Sequence, residues 1–472
     1  MSGFVGRQVY LDRLSEDLKA VQSEGSGRFV AIRGRRRVGK SRLVQELLTH
    51  AEAPYVFFQA SKQSLGDEIR LFTEEIGNSS LPAADLVRSG TTFDTWAAAI
   101  SLIASQATKK RPAVVVIDEF PYLLEENRDA IEGEFQKVYD RHIDGKAPVM
   151  LILVGSDLAM MESLDEYSRP LHGRPTRTLV VEPFAPSEVM ALLGMTPTET
   201  LDAYLIAGGF PLVSRSWRTG TSMQRFLKQA LDDPTSPLIV DAERMLSAEF
   251  PSEVQARSVL SAIGSGERTF TNISRAAGIQ AMSLTRALET LVKRKRVVVA
   301  RRPLSTKLSK ETRYAVADPY LRFWLRFIEP NLGRIERGQG RLVAAEIRES
   351  WDSYRGSAIE PIIREALSRM IDTDPRLGKA EQIGGWWNRT SSIEIDLVGA
   401  GRGTVPRSID FVGSVKWRER AAFDRHDTNA LAAHRKHVEG ADEARLIGVS
   451  RAGFSDAALD AEIGPDEIVA AW

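Results

Sequence analysis

One short segment constrains this chain more than any other. Arg28 to Arg33 (RFVAIR) reads as a buried strand, and Gly34-Arg35-Arg36-Arg37-Val38-Gly39-Lys40-Ser41 follows it directly, matching the spacing G-x-x-x-x-G-K-[ST]. Gly39 to Thr49 then carries helical periodicity. A strand, a glycine-bounded loop and a helix in that order make a cradle for phosphate groups. The glycines let backbone N–H groups curl around an anion, and the helix N-terminus adds partial positive charge. In such a cradle Lys40 reaches the β- and γ-phosphates of a nucleoside triphosphate, and the Ser41 hydroxyl ligates Mg²⁺. Gly34 to Arg42 is therefore the candidate nucleotide-binding segment. Arg35, Arg36 and Arg37 add positive charge and are expected to face outward.

A second element strengthens the reading. Val114 to Ile117 runs straight into Asp118-Glu119. Four apolar residues place that strand in the centre of a sheet, with both carboxylates at its C-terminal end. Asp118 is expected to hold Mg²⁺ through water, and Glu119 to polarise the attacking water as general base. An apolar strand ending in Asp-Glu is common alone; with the glycine loop, in order and in context, it points to ATP and Mg²⁺. Nucleotide binding without turnover is the alternative. Further strands are read at Tyr55 to Gln59, Val149 to Val154 and Arg177 to Val181, with helices at Phe93 to Ala104 and Arg128 to Arg141. That alternation predicts a parallel α/β architecture.

The chain has 472 residues, enough for about three domains. Formal net charge is zero, so a nucleic-acid surface has to come from local clustering. With no cysteine, disulfides, cysteine-ligated zinc and a cysteine nucleophile are excluded. No signal-peptide pattern opens the sequence, and apolar runs such as Val149 to Val154 are too short to span a bilayer. A soluble, cytoplasmic chain with no membrane partner is expected.

From about Pro183 to Phe250 the pattern is helical, with punctuation at Gly208-Gly209-Phe210-Pro211. Phe270 to Gly278 and Ser283 to Lys295 then read as helices, and Val297 to Ala300 and Thr312 to Val316 as two strands. This is the order of a winged helix. Between Lys293 and Arg313 stand nine cations, Lys293, Arg294, Lys295, Arg296, Arg301, Arg302, Lys307, Lys310 and Arg313, against Glu311 alone. Such a concentration suits a phosphate backbone and makes Lys293, Arg294, Arg301, Arg302 and Lys307 the DNA-binding candidates. A protein–protein module is the alternative. A Trp/Phe-rich helix, Pro319 to Ile328, leads into a Gly/Arg-rich stretch read as a linker, Gly333 to Arg341.

Phe4-Val5-Gly6-Arg7 followed by Leu11, Val154-Gly155-Ser156, Leu171-His172-Gly173-Arg174, Gly209-Phe210-Pro211 and Asp318 to Trp324 carry a resemblance. Together with the phosphate loop they resemble the AAA+ and STAND-type P-loop ATPases, most closely the archaeal-type ATPases with a fused nuclease-like C-terminal domain. The resemblance implies that Ser156 senses the γ-phosphate, that Pro211 contacts the nucleotide from a helical lid, that Val5 and Arg7 lie near the adenine, and that Arg174 acts as a phosphate-sensing or finger arginine. It also implies a homo-oligomer or a protein partner.

The last 130 or so residues return to α/β and resemble a PD-(D/E)xK nuclease. Glu360 lies on a helix, Gly356 to Ala366; Asp396 on a strand, Ser392 to Val398; Lys416 on a strand, Ile409 to Trp417; and a helix follows near Leu431 to Val438. Such a site needs two or three carboxylates for Mg²⁺ and a lysine to orient water. The family's acidic residue two before the lysine is Ser414 here. Asp410 shares that face but lies roughly 13 Å along the strand, and Glu394 shares the face of Asp396. An inactive fold used for binding is favoured over a remodelled weak nuclease or plain surface carboxylates. His426, His434 and His437 are expected to be solvated helix residues.

The expected fold is thus α/β: a P-loop NTPase core (1–182), a helical lid (183–250), a winged helix (251–318), a connecting helix and linker (319–345), and a degenerate, restriction-endonuclease-like α/β domain (346–472). The expected function is an ATP-hydrolysing switch read out on DNA. An ATP-gated Mg-dependent nuclease and a protein scaffold without nucleic-acid contact are the alternatives.

Overall fold

Five apolar runs of the first part of the chain become one parallel sheet in the computed structural model, which describes residues 4–472. They are β1 (Arg28–Arg33), β2 (Tyr55–Gln59), β3 (Ala113–Asp118), β4 (Val149–Gly155) and β5 (Arg177–Val180), ordered β2-β3-β4-β1-β5. Every residue of β3 and β4 is buried, as strands covered by helices on both faces must be. An aromatic cluster of Phe58, Phe72, Trp96, Phe120 and Phe135 forms part of the core beside the sheet. Helices α1 (Gln8–Glu24) and α2 (Lys40–His50) flank β1 in sequence, and α1 buries Leu14, Leu18 and Val21. Because β4 lies between β1 and β3, the turns after all three strands emerge side by side at one sheet edge.

The chain divides into two compact units, one ending at Pro183 and the other beginning at Phe184. Within the second, helices Val254–Gly264, Phe270–Ala277 and Ala281–Glu289, the last continued by Thr290–Arg294, precede an antiparallel hairpin. Its strands are β6 (Val298–Arg301) and β7 (Arg313–Val316), with Arg301 opposite Arg313 at the end closed by the connecting loop. The C-terminal sheet has the order β14-β12-β10-β9-β8. Here β8 (Gln382–Trp387), β9 (Glu394–Ala400) and β10 (Ile409–Lys416) form an antiparallel run, β9 pairing with β8 on one side and β10 on the other. A short pair, β11 (Phe423–Asp424) with β13 (Phe454–Ser455), stands apart, and β12 (Arg445–Ser450) and β14 (Ala461–Ile463) are parallel to β10.

Several expectations are corrected. The segment read as a linker is helical: Leu332–Arg334 and Ile335–Gln339 lead into the helix Gly340–Ala358. Gly340 serves close packing, since a Cβ there would overlap the carbonyl oxygen of Leu231, and Gly338 takes a left-handed φ of 76°, while Arg341 pairs with Asp232 at 2.7 Å and Arg334 with Glu346 at 2.7 Å. The helix expected over Gly356 to Ala366 is two helices, Gly340–Ala358 and Glu360–Met370, with Pro361 opening the second. The helix expected near Leu431 is Arg425–Arg435, started by reciprocal capping between Asp424 and Asp427. Among the described residues no helix is long and apolar enough to cross a membrane.

A buried ionic knot ties distant parts of the second unit together. Arg355, 1% exposed, lies 3.6 Å from Asp202 and 2.5 Å from Glu419, and Arg451 reaches Asp202 at 2.9 Å. Burial raises the Asp202 pKa, and the two guanidinium groups oppose that rise. Gly340→Ala is expected to destabilise the second unit by about 1–3 kcal/mol, as overpacking does. Chemical denaturation measures this; an unchanged midpoint would restore the flexible-linker reading of residues 333–341.

Candidate functional site

The glycine loop follows β1 because the chain has to turn sharply there. A Cβ on Gly34 would overlap the Val181 carbonyl, and Arg37 and Gly39 take left-handed conformations, φ 67° and 93°. Lys40, 5% exposed, folds back over the loop and donates to the carbonyls of Gly34 at 2.9 Å and Arg35 at 3.0 Å. The Ser41 hydroxyl donates to Asp118 Oδ2 at 2.7 Å. Burial raises the Asp118 pKa; the Ser41 hydrogen bond opposes it, and the charge of Glu119 adds to it. A hydroxyl and a buried carboxylate in contact are the hard oxygen donors a Mg²⁺ ion takes, so the residues fit that ion.

Beyond Asp118 the chain is strained. Glu119 has φ 51°, a left-handed conformation that costs a non-glycine residue about 1–3 kcal/mol. Its carboxylate accepts a 2.6 Å hydrogen bond from Ser156 Oγ, and its N–H bonds Asp118 Oδ1 at 3.0 Å. Gly155 makes room: a Cβ there would overlap Met161 and Pro121. Lys40, Ser41, Asp118, Glu119 and Ser156, scattered over 117 positions of sequence, therefore meet at the C-terminal edge of β1, β3 and β4.

Other expected site residues fall differently. Arg7 is buried, with φ 66° after Gly6 at 72°, and its Nη2 donates to the Val38 carbonyl at 3.2 Å, so it braces the loop. Val5, beside it, is half-buried. Arg36 does not simply face outward: it donates to the Tyr122 hydroxyl at 2.8 Å, and the Lys62 ammonium sits 4.6 Å from the same ring. No sequence pattern marks Tyr122. Arg42 pairs with Glu46 at 3.2 Å on the exposed side of α2. Arg174 makes a two-pronged ion pair with Asp140, 2.9 Å on each prong. It precedes β5 and lies at the N-terminal end of the parallel strands, opposite the glycine loop, so it is no phosphate sensor within its own chain. Pro211 opens the helix Pro211–Ser216 of the second unit, after Gly208 and Gly209 in left-handed conformation.

In the second unit Glu360 and Asp396 line one cavity of about 560 Å³, but Lys416 is not among its walls. The Lys416 amine lies 3.6 Å from Asp427. Glu360 pairs with Arg364 at 2.7 Å, and Asp396 Oδ2 accepts from Ser414 Oγ at 3.1 Å and from the Val415 N–H at 2.7 Å. Ser414, where a third carboxylate would stand, thus occupies the second one. Among the described residues no three His, Cys, Asp or Glu side chains are grouped to hold a metal, His426, His434 and His437 included. This donor set does not fit a metal-dependent nuclease.

The basic hairpin is divided. Lys293, Arg294 and Arg302 are exposed. The Lys307 amine is exposed too, yet it lies 3.4 Å from Glu439, and Thr306 bonds the Glu439 carbonyl at 2.8 Å. Leu304 bonds Gly385 of β8, so the hairpin loop is docked on the C-terminal sheet. Arg301 turns inward and lines the cavity with Glu360. Burial pushes the Glu360 carboxyl up from 4.5 to about 7, against the pull of Arg364. A raised folded-state pKa means that protonated Glu360 favours the fold: the contribution is complete below about pH 4.5 and lost as pH rises through about 7. Glu360→Gln is expected to flatten the fall in stability across that window, by up to about 2 kcal/mol. Denaturation midpoints at pH 5, 6, 7 and 8 test it; parallel curves for both proteins would contradict it.

Residues 3–138 match the family described as AAA ATPase domain, and residues 324–430 match one described as archaea bacterial proteins of unknown function. The chain is 27% identical over 398 residues to an uncharacterized protein of Methanocaldococcus jannaschii, spanning 84% of each. It is similar to the solved Walker-type ATPase of Pyrococcus abyssi, at 19% identity, covering 68% of this chain and 96% of that one with a TM-score of 0.49. A similarity to the ORC2 protein of Aeropyrum pernix, solved as ADPNP–ADP complexes, has 14% identity, coverage of 72% and 95%, and a TM-score of 0.45. The match over residues 3–138 falls within the first unit, which is similar there to the AAA ATPase domain family.

Proposed function

We propose that the protein is an ATP-hydrolysing switch. The observation that carries this reading is the unbroken chain of contacts Ser41–Asp118–Glu119–Ser156, with 2.7 Å and 2.6 Å hydrogen bonds at its two ends. Lys40 gives up the Gly34 and Arg35 carbonyls and takes the β- and γ-phosphates. Ser41 and Asp118 would hold Mg²⁺, which would supply charge neutralisation for the phosphates. Ser156 exchanges its bond to Glu119 for the γ-phosphate, leaving the Glu119 carboxylate free to take the proton of the attacking water. ATP binding favours one arrangement of the domains and hydrolysis releases it. Glu119→Gln is expected to keep ATP affinity and lower kcat at least about 100-fold, as loss of a general base does, while Lys40→Ala weakens binding itself. Phosphate release and ATP titration separate the two; wild type and Glu119→Gln turning over equally would remove Glu119 from the mechanism, and a silent wild type that binds ATP would leave a switch without hydrolysis.

The three helices and hairpin at 254–316 have the order of a winged helix, and we propose that its exposed cations Lys293, Arg294 and Arg302 contact the DNA backbone. The docked hairpin loop favours a second reading, in which this element transmits the nucleotide state within the chain. Replacing all three cations with Ala is expected to weaken DNA binding at least tenfold at low salt and reduce its salt dependence by about three counterions. Absence of binding at low salt in the wild type selects the second reading.

A further inference from the structure

The cavity of about 560 Å³ in the second unit is within the size range of small-molecule sites. Its walls come from the turn Gly264–Arg268, the hairpin β6–β7, the helices on either side of Ile359, and β9. Six arginines line it. Two have a carboxyl partner: Arg313 with Glu394 at 2.6 Å, and Arg364 with Glu360 at 2.7 Å. Among the described residues no carboxylate lies within ion-pair distance of the other four, Arg268, Arg301, Arg322 and Arg326. Arg301 and Arg322 are partly buried while Arg268 and Arg326 are exposed, and a cation drawn out of water without a counter-charge is costly. Burial pulls the Arg301 pKa down to about 10, with Arg364 and Arg322 pushing the same way.

These groups are held in place before any ligand arrives. Arg322 donates to the carbonyls of Ala358 at 3.0 Å and Val316 at 2.9 Å, and Arg326 donates to that of Ser265. Tyr354 lines the same cavity, and its hydroxyl is buried without a hydrogen-bond partner among the described residues. The orphan hydroxyl and the unpaired guanidinium groups ask for the same thing, an anion rich in acceptor oxygens. A phosphate ester supplies up to two negative charges and three strong acceptor oxygens, and the guanidinium fork matches it two-pronged. The wall also carries the carboxylates Glu267, Glu360, Glu394 and Asp396 against six arginines; Glu394 is engaged by Arg313, Glu360 by Arg364, and Asp396 by Ser414 and the Val415 N–H, so the excess of positive charge remains.

We propose that this cavity binds a small phosphorylated ligand of up to mononucleotide size, its phosphate held by Arg301, Arg322 and Arg268 and its remainder resting on the aromatic wall of Tyr314, Tyr354 and Trp387. The site is separate from the glycine loop, which lies in the other unit. A ligand there bridges the hairpin and the C-terminal sheet and so sets how firmly the two are joined.

The test uses the full chain carrying Lys40→Ala, which disables the glycine loop, with AMP and inorganic pyrophosphate as probes in titration calorimetry. Saturable binding is expected, weakened at least about tenfold by Arg301→Gln or by Arg268→Gln, the loss of one charge-assisted contact. Arg369→Gln, outside the cavity, should leave it intact. Arg268 stands exposed at the mouth, so its variant keeps the test valid should Arg301→Gln fail to fold. Tighter binding of AMP assigns the aromatic wall to the organic part, and tighter binding of pyrophosphate assigns the site to the phosphates alone; either supports the cavity as a phosphate site. Silence of both probes, or binding indifferent to both arginine substitutions, overturns it.

Discussion

The first unit depends on one topological insertion: β4 lies between the strand that feeds the glycine loop and the strand that ends in Asp118. Without it Ser156 would have no place between the loop and Glu119. With it, three turns that are far apart in sequence form one row of polar groups at the open edge of a sheet whose central strands are wholly buried. The strain at Glu119 belongs to the same arrangement. Its left-handed backbone turns the carboxylate toward Ser156, and the packed aromatic cluster beneath holds it there.

The second unit is governed by arginine. Arg355 and Arg451 share Asp202 and Glu419 in a buried knot, and six further arginines line one cavity. The two clusters differ in their electrostatics. In the knot each guanidinium faces carboxylates, so the cluster locks helix to sheet. In the cavity Arg322 and Arg326 bond backbone carbonyls and Arg268 and Arg301 have no carboxylate within ion-pair distance among the described residues, which is the arrangement the proposed anion site rests on. The formal neutrality of the whole chain hides this local excess.

Much of this was legible in the residues. Short apolar runs located β1 and β2 to the residue and β3, β4 and β5 to within one; the signal is plainest in β3 and β4, because strands buried on both faces admit little but Val, Ile and Leu. The glycine loop, Lys40, Ser41, Asp118 and Glu119 were legible because the chemistry demands those residues at a local spacing. What misled was composition read as flexibility. Gly333, Gly338 and Gly340 suggested a linker, yet Gly340 is there because a helix must pass the Leu231 carbonyl closely. Capping was missed where its signal is weakest: Asp424 and Asp427 start a helix six residues before its apolar stripe begins to show.

By itself the sequence determined that a phosphate cradle and an Asp-Glu strand end share one parallel sheet, since strand burial and loop chemistry are written within short segments. Only the tertiary structure decided where each arginine points. Nine cations around the hairpin look like one basic face in sequence, but Arg301 turns inward, Lys307 meets Glu439, Lys293 is exposed yet pairs with Glu289 at 3.0 Å, and Arg294 and Arg302 are exposed. Whether a cation ends beside a carboxylate, a carbonyl or water depends on partners that can be a hundred or more residues away, as Lys307 and Glu439 are, and no local pattern encodes that distance.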